Sequence, residues 1–292
     1  MHVGQLYATK EKPIISFEFF PPRNEKAAEG FGTVVDTLAE LKPDYMSVTF
    51  GAGGSTREGS YQTVKQLLVE KKIPTVAYLA GFGLGPEEIS LELDRYQDLG
   101  VETIFVIRGD EPKNEDFVAN KESFAYASGM IAFIKDRYPF CLGCAGYPEG
   151  HIQAESLEKD IQFLKLKQDN GAEYAVTQYC YDNDFFFSYV EKCRAAGISI
   201  PIIPGIMPVY TLKLTQMLSK VCGTTIPAEM QRGLDQLDAE DKKAVLDFGV
   251  NFAVEQCRGL LKKGVAGLHF YTMDRSHSTS EILTRLREED LL

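Results

Sequence analysis

Short apolar runs recur along the chain, each ending in polar residues or glycine. They are IISFEFF (14–20), YMSVTFG (45–51), TVAYLAG (75–81), TIFVIRGD (103–110), FCLGCAGY (140–147), YAVTQY (174–179), IPIIPGI (200–206) and GLHFYTM (267–273). Most are rich in β-branched or aromatic residues, the composition of strands. Between them, apolar positions return at helical spacing. FGTVVDTLAELK places Phe31, Val34, Val35, Leu38 and Leu41 on one stripe, and segments such as PEEISLELDRYQDLG and SLEKDIQFLKLKQDNG behave likewise. Gly100, Gly171, Gly197, Gly223 and Gly264 stand where helices end, and Pro86 stands where one begins. Strand and helix alternate eight times at spacings of mostly about 30 residues, near the size of a βα unit. The pattern predicts an α/β chain folded as a (β/α)₈ TIM-type barrel, a single catalytic domain over residues 1–292. The longer interval before the last strand predicts extra helices at about 209–222, 227–237 and 239–263, and EILTRLREEDLL a closing helix outside the barrel.

In such barrels the chemistry sits at the carboxyl ends of the strands. Those ends carry Glu18, Thr49, Tyr78, Arg108, Gly109, Asp110, Tyr147, His151, Thr177, Gln178, His269, Tyr271 and Arg275. A scaffold alone does not need a functional group at almost every strand end. Glu18 is the most pointed case. Alternation puts Ser16, Glu18 and Phe20 on one face of the strand and Phe17 and Phe19 on the other. A carboxylate in a strand buried on both sides costs several kcal/mol, of order, unless paired, hydrogen-bonded or protonated. On this stretch alone two readings stand: a Glu paired to Arg23 or another base, and an acid held for proton transfer.

The net charge of −11 and pI near 5.0 argue against nucleic acid as a partner, which needs a basic stripe. No apolar run is long enough to span a membrane. The start, MHVGQLYATKEKP, lacks the apolar core of a secretory signal, so the expectation is a cytoplasmic protein. Six cysteines in this setting read as reduced thiols. CLGC (141–144) lies in a strand, where positions three apart face opposite sides, and no second pair completes a zinc set, so no metal is expected. GFGLGPEEI (81–89) spaces its glycines G-x-G-x-G, which suits a flexible βα loop better than a dinucleotide fingerprint. His269 has two open readings, a ligand contact and a core histidine satisfied by a backbone group. DNDFFFSYV (182–190) reads as a helix start capped by Asp182 or Asn183.

SFEFFPPR, SVTFGAGGSTRE, VIRGD, GYPEGH, YAVTQYCYDN, PIIPGIMPV and LHFYTMDR stand in the order found in 5,10-methylenetetrahydrofolate reductases, and the chain resembles that family from about residue 13 to 276. Its length is similar to that of the bacterial, barrel-only form. The resemblance implies FAD as cofactor and NADH or NADPH as the electron donor. A ping-pong hydride transfer would then turn 5,10-methylenetetrahydrofolate into 5-methyltetrahydrofolate, in one-carbon metabolism and methionine biosynthesis. It implies Glu18 as the general acid that opens the substrate's imidazolidine ring, in the apolar setting of Phe17, Phe19 and Phe20. It implies Asp110 as the negative charge beside flavin and pterin. Gln178 would be the pterin-recognising amide, and Tyr271 and Arg275 folate contacts, with Glu18 and Asp110 also in the substrate site. The implied FAD set is Thr49, Tyr78, Arg108, Gly109, Asp110, Tyr126, Ala127, Tyr147, His151, Asp160 and Lys167, with Lys167 facing phosphate. A homo-oligomer is common in the family, and a partner subunit is a further expectation.

The chain departs from the family pattern at several positions. Tyr78 stands where many bacterial members have histidine, and Gly59 replaces a base. Phe163 and Leu166 stand where some members hold FAD with polar and basic residues, and Leu218 where some stack a phenylalanine on nicotinamide. The alternative reading is another folate-binding (β/α)₈ protein: a flavin-free reductase, a methyltransferase or a non-catalytic binding subunit.

Overall fold

The structure is a computed structural model that describes residues 1–22, 24–50, 54–111 and 117–292, with residues 54–56 described by their backbone alone. The strands are β1 (Ile14–Phe19), β2 (Tyr45–Val48), β3 (Thr75–Ala80), β4 (Thr103–Ile107), β5 (Cys141–Gly146), β6 (Tyr174–Thr177), β7 (Ile202–Ile203), β8 (Gly205–Ile206) and β9 (Gly267–Tyr271). Every pairing is parallel, in the order β7-β6-β5-β4-β3-β2-β1-β9-β8. Helices connect the strands and cover the sheet's outer face, as parallel strands require.

The expected strand at 200–206 is corrected to two short ones. Pro204 has no N–H to give a ladder and splits the run. Its first half, β7, pairs with β6; its second half, β8, pairs with β9. The Pro204 carbonyl still accepts the His269 N–H at 3.1 Å. One segment thus joins both edges of the sheet, and the barrel is nearly closed.

The helices follow their caps. Asn24, Ser156, Asp182, Thr211 and Asp241 each accept a backbone N–H from the first turn of the helix that follows. The three helices before the last strand are Leu212–Cys222, Ala228–Leu234 and Lys242–Lys262. Gly223, at φ +70°, takes the left-handed conformation that ends the first of them. Two helices were not expected. Ala127–Lys135 is short and nearly all apolar, which blurs its stripe. Val3–Thr9 buries one residue, Val3, against the amino-terminal rim of the barrel. There the Val3 N–H donates to Thr103 Oγ1 at 3.3 Å and the Gly4 N–H to Cys141 Sγ at 3.2 Å.

Inside the barrel the registers align Tyr78 with Phe105, Phe105 with Gly143 and Gly143 with Tyr174. A side chain at 143 has no room: a Cβ there would lie 2.4 Å from Tyr174 and 2.6 Å from Phe105. The glycine lets these two rings meet, with centroids 6.0 Å apart, and Phe105 then stacks on Tyr78 at 4.5 Å.

Candidate active site

Glu18 lies near the carboxyl end of β1, paired in register with Ser47 of β2 and Tyr271 of β9. It is 6 % exposed. The Tyr78 hydroxyl donates to Glu18 Oε2 at 2.6 Å. His269 Nε2 stands 3.7 Å from the same oxygen, and its Nδ1 is 2.7 Å from the Ser16 hydroxyl. The Thr272 hydroxyl donates to the Glu18 carbonyl at 2.6 Å. Burial pushes the Tyr78 phenol well above its ordinary pKa, and the charge of Glu18 pushes it further. The phenol is therefore a neutral donor throughout the physiological range. Burial first, and Glu18 second, raise Tyr271 in the same way; its hydroxyl donates to the Thr177 carbonyl at 2.8 Å.

This corrects the expected surroundings of Glu18. Phe17 and Phe19 point out of the barrel, where Phe19 meets Phe31 edge-on at 5.7 Å and Phe17 meets Phe270 at 6.1 Å. Strand alternation sends them away from the carboxyl. The walls around Glu18 are Tyr78, His269 and Tyr271. Arg23, the other partner considered for Glu18, lies outside the described residues. His269 is a buried interior histidine, 1 % exposed, and its Nδ1 is matched to a side-chain hydroxyl rather than to a backbone group. Ser16 is a site residue that the sequence reading does not include, and His269, open there between two readings, stands beside Glu18. Their positions, two residues before Glu18 and Tyr271 on the same strand faces, were the available signal.

A second group gathers around the ends of β4 and β5. Arg108 donates to Gln153 Oε1 at 3.0 Å, and its guanidinium lies 5.6 Å from the Phe82 ring. Gly109 has φ +79°, and a Cβ there would meet Ala80 Cβ at 2.9 Å, so the backbone passes close to β3. Asp110 is exposed. Tyr147 and His151 meet edge-on at 4.7 Å. Lys167 donates to the Ala145 carbonyl at 2.8 Å and lies 5.9 Å from the Tyr147 ring. Partial burial, Arg108 and Lys167 depress the His151 pKa against the pull of Asp110. Asp160 is buried, and burial raises its pKa against Lys167 and the His151 N–H.

The remaining expected residues sit around these two groups. Thr49 is half-buried, and its carbonyl accepts the Ser60 hydroxyl at 2.9 Å. Half-buried Gln178 accepts the Tyr179 N–H on Oε1 at 3.1 Å. That leaves its amide N–H₂ to donate. Arg275 is exposed and lies 5.3 Å from the Tyr210 ring, whose hydroxyl donates to the Tyr271 carbonyl at 3.1 Å. Tyr126 is 63 % exposed and stacks on Phe163 at 6.2 Å, while Ala127 is buried at the start of its helix. The structure thus gathers Glu18, Tyr78 and Tyr271 in one cluster and Arg108, Tyr147, His151, Asp160 and Lys167 in another. Tyr126 and Arg275 contact neither cluster's charged groups in the described hydrogen bonds.

Among the described residues, three side chains of metal-binding type meet at His2, Cys141 and Glu173. They lie where β5 and β6 begin, at the rim opposite Glu18. Glu173 is paired with Lys135 at 2.9 Å, and burial pushes the Cys141 thiol up to about 12.

A family model described as methylenetetrahydrofolate reductase matches residues 3–287. The chain is 36 % identical over 280 residues to methylenetetrahydrofolate reductase 1 of Schizosaccharomyces pombe, covering 95 % of this chain and 46 % of that one. It is 35 % identical to methylenetetrahydrofolate reductase (NADH) 1 of Arabidopsis thaliana, covering 93 % and 48 %. The chain therefore spans about half the length of these relatives. It is 33 % identical over 270 residues to the 5,10-methylenetetrahydrofolate reductase of Escherichia coli K12, covering 92 % of this chain and 88 % of that one. Among solved structures, an uncharacterized protein from Clostridium thermocellum that binds two copies of 5-methyl-5,6,7,8-tetrahydrofolic acid shares the fold, with a TM-score of 0.65, 18 % identity and 99 % of each chain covered. With the family match running through nearly every strand and helix of the barrel, the chain belongs to the methylenetetrahydrofolate reductase family.

Proposed function

We propose that this chain reduces 5,10-methylenetetrahydrofolate to 5-methyltetrahydrofolate, with NADH or NADPH as electron donor and FAD as cofactor. The observation that carries this reading is Glu18: a buried carboxyl at a strand end, hydrogen-bonded by a phenol that cannot ionise near neutral pH. The five-membered ring of the substrate must open to an N5 iminium ion before it can take a hydride. Opening requires a proton at N10, and the buried Glu18 carboxyl is the group we assign to give it. Gln178, whose Oε1 accepts the Tyr179 N–H while its amide N–H₂ is a donor, suits the pterin edge. Exposed Asp110 suits the cation that ring opening creates.

The second cluster fits a dinucleotide. Arg108 and Lys167 supply two cations, and Tyr147 and His151 supply ring faces and donors on one wall, a set suited to a pyrophosphate and its ribose. The bare Gly109 backbone allows close approach. When bound there, FAD supplies a two-electron carrier between the nicotinamide and the folate.

The test is an anaerobic absorption spectrum. Protein loaded with FAD should bleach near 450 nm, at about the usual flavin band, on adding NADH or NADPH, and recover on adding methylenetetrahydrofolate. Protein that binds no FAD and turns over no folate would overturn the reading. Glu18→Gln should slow the folate half-reaction by at least about 100-fold and leave flavin reduction within about twofold. Equal losses in both halves would remove Glu18 from the proton-donor role.

A further inference from the structure

We propose that Tyr78 is a positioning residue for Glu18, fixing which carboxyl oxygen gives up the proton and stabilising the carboxylate left behind, rather than a contact to the cofactor. The inference rests on the proton-donor reading of Glu18 above. Among the described residues, Tyr78 is the one side chain that hydrogen-bonds the Glu18 carboxyl. His269 Nε2, at 3.7 Å, is beyond hydrogen-bond reach. The other titratable group facing the carboxyl is Tyr271, also on β9, and its hydroxyl is committed to Thr177.

The geometry explains how a residue two strands away reaches Glu18. Register places Ser47 between Glu18 and β3, and Ser47 pairs with Val76. Tyr78 stands two residues further along the same face, and its hydroxyl reaches Glu18 Oε2. Stacking on Phe105 at 4.5 Å and 22° holds the ring in that direction. Tyr78 is buried at 6 % exposure.

A carboxylic acid accepts through one oxygen and donates through the other. Donation by Tyr78 into Oε2 therefore leaves Oε1 to carry the transferable proton. In the step itself, the O–H bond at Oε1 breaks and an N–H bond forms at N10 of the substrate. The C–N10 bond then breaks with its electron pair passing to N10, the N5 lone pair forms the iminium double bond, and Glu18 becomes a carboxylate. Tyr78 keeps its own proton. Its hydrogen bond is stronger to the carboxylate than to the acid, so it favours the state after transfer. The 2.6 Å contact lies in the range of a charge-assisted O–H···O bond.

Tyr78→Phe tests this, because it removes one oxygen and keeps the ring on Phe105. The folate half-reaction should slow by about 10- to 100-fold, with flavin reduction by NAD(P)H within about twofold and FAD absorbance retained. Loss of a donor that favours the carboxylate should also move the alkaline limb of the folate half-reaction to higher pH. In a Glu18→Gln background the same change should add no more than about a twofold loss, since the two residues act as one unit. An unchanged folate half-reaction and pH limb, or a fully additive double variant, would overturn the inference. Loss of FAD together with equal slowing of both halves would return Tyr78 to the cofactor site. Wild-type protein with no folate turnover would overturn both readings, whereas active wild type beside an unaffected Tyr78→Phe would overturn this one alone.

Discussion

Gly143 shows how little freedom the residues beneath Glu18 have. It interrupts a row of rings, Tyr78, Phe105 and Tyr174, which the parallel registers place side by side across β3 to β6. Any Cβ at 143 falls well inside contact distance of both Phe105 and Tyr174. Neither ring can retreat, since Phe105 is stacked on Tyr78 and Tyr174 is fully buried. Gly143→Ala should therefore destabilise the fold by about 1–3 kcal/mol, the usual range for overpacking, as read from the urea midpoint. It should also slow the folate half-reaction, because pressure on Phe105 is pressure on the Tyr78 hydroxyl. A midpoint equal to wild type would show that the interior has slack which this packing denies. Sequence carried part of this. Alternation alone turned Glu18 inward, and it equally turned Phe17 and Phe19 away, so the apolar setting expected from those neighbours belonged to the other face. The partner of Glu18 was not legible. Tyr78 lies 60 positions further along the chain, on β3, and its ring is held by a stack with Phe105 that no local pattern displays.

At the scale of elements, the segment from β5 into the helix Leu157–Asp169 carries the charge logic of the second cluster. His151 Nδ1 accepts the Gln153 N–H at 3.1 Å, which requires that nitrogen to be unprotonated. Partial burial, Arg108 and Lys167 lower its pKa in the folded protein. The folded state then binds fewer protons than the unfolded chain below the ordinary histidine value of about 6.5. Stability therefore rises with pH through that window and is lost as pH falls below about 6.5, toward the depressed folded value. Urea midpoints at about pH 7.5 and 5.5 should differ less in His151→Asn than in wild type. Parallel differences in the two proteins would remove His151 as a source of the acid sensitivity. Element boundaries were legible where a cap or a glycine marked them, as at Asn24, Asp182 and Gly223. They failed where the deciding interaction was distant. Nothing local in IPIIPGI says that its halves pair with different strands; that follows from Pro204 and from closure of the barrel. Ala127–Lys135 hid its stripe in an almost uniformly apolar run.

The whole molecule has two different rims. The carboxyl rim holds Glu18 and the second cluster, and the amino rim is sealed by Val3–Thr9. That short helix had no legible stripe, because Val3 is its one fully buried side chain and its polar contacts reach three different strands. Val3 is fully buried with its N–H on Thr103 of β4, and the Gly4 N–H meets Cys141 of β5. The Tyr7 hydroxyl is 3.2 Å from that of Tyr45 on β2, and its ring lies 5.9 Å from Tyr174 of β6. Burial of Val3 alone is worth about 1.5–3 kcal/mol, and Tyr7 buries a larger ring. Removing residues 1–9 would also leave Tyr45, whose phenol burial already pushes up to about 12, with its hydroxyl facing newly admitted water. A variant lacking residues 1–9 should therefore melt at least about 5 °C lower than the full chain, given about 2–4 °C per kcal/mol in large domains. The rims also predict a separation of effects. Tyr45 stacks on His269, and His269 meets Ser16 and faces Glu18, so the amino rim is coupled to the acid through buried contacts rather than through the mouth. Below its melting range the truncated protein should bind FAD as the full chain does, because no residue of the second cluster touches the helix. Its folate half-reaction should be the slower of the two. An unchanged melting temperature would sink the sealing role, and a loss of FAD affinity with folate chemistry intact would place the coupling on the wrong cluster.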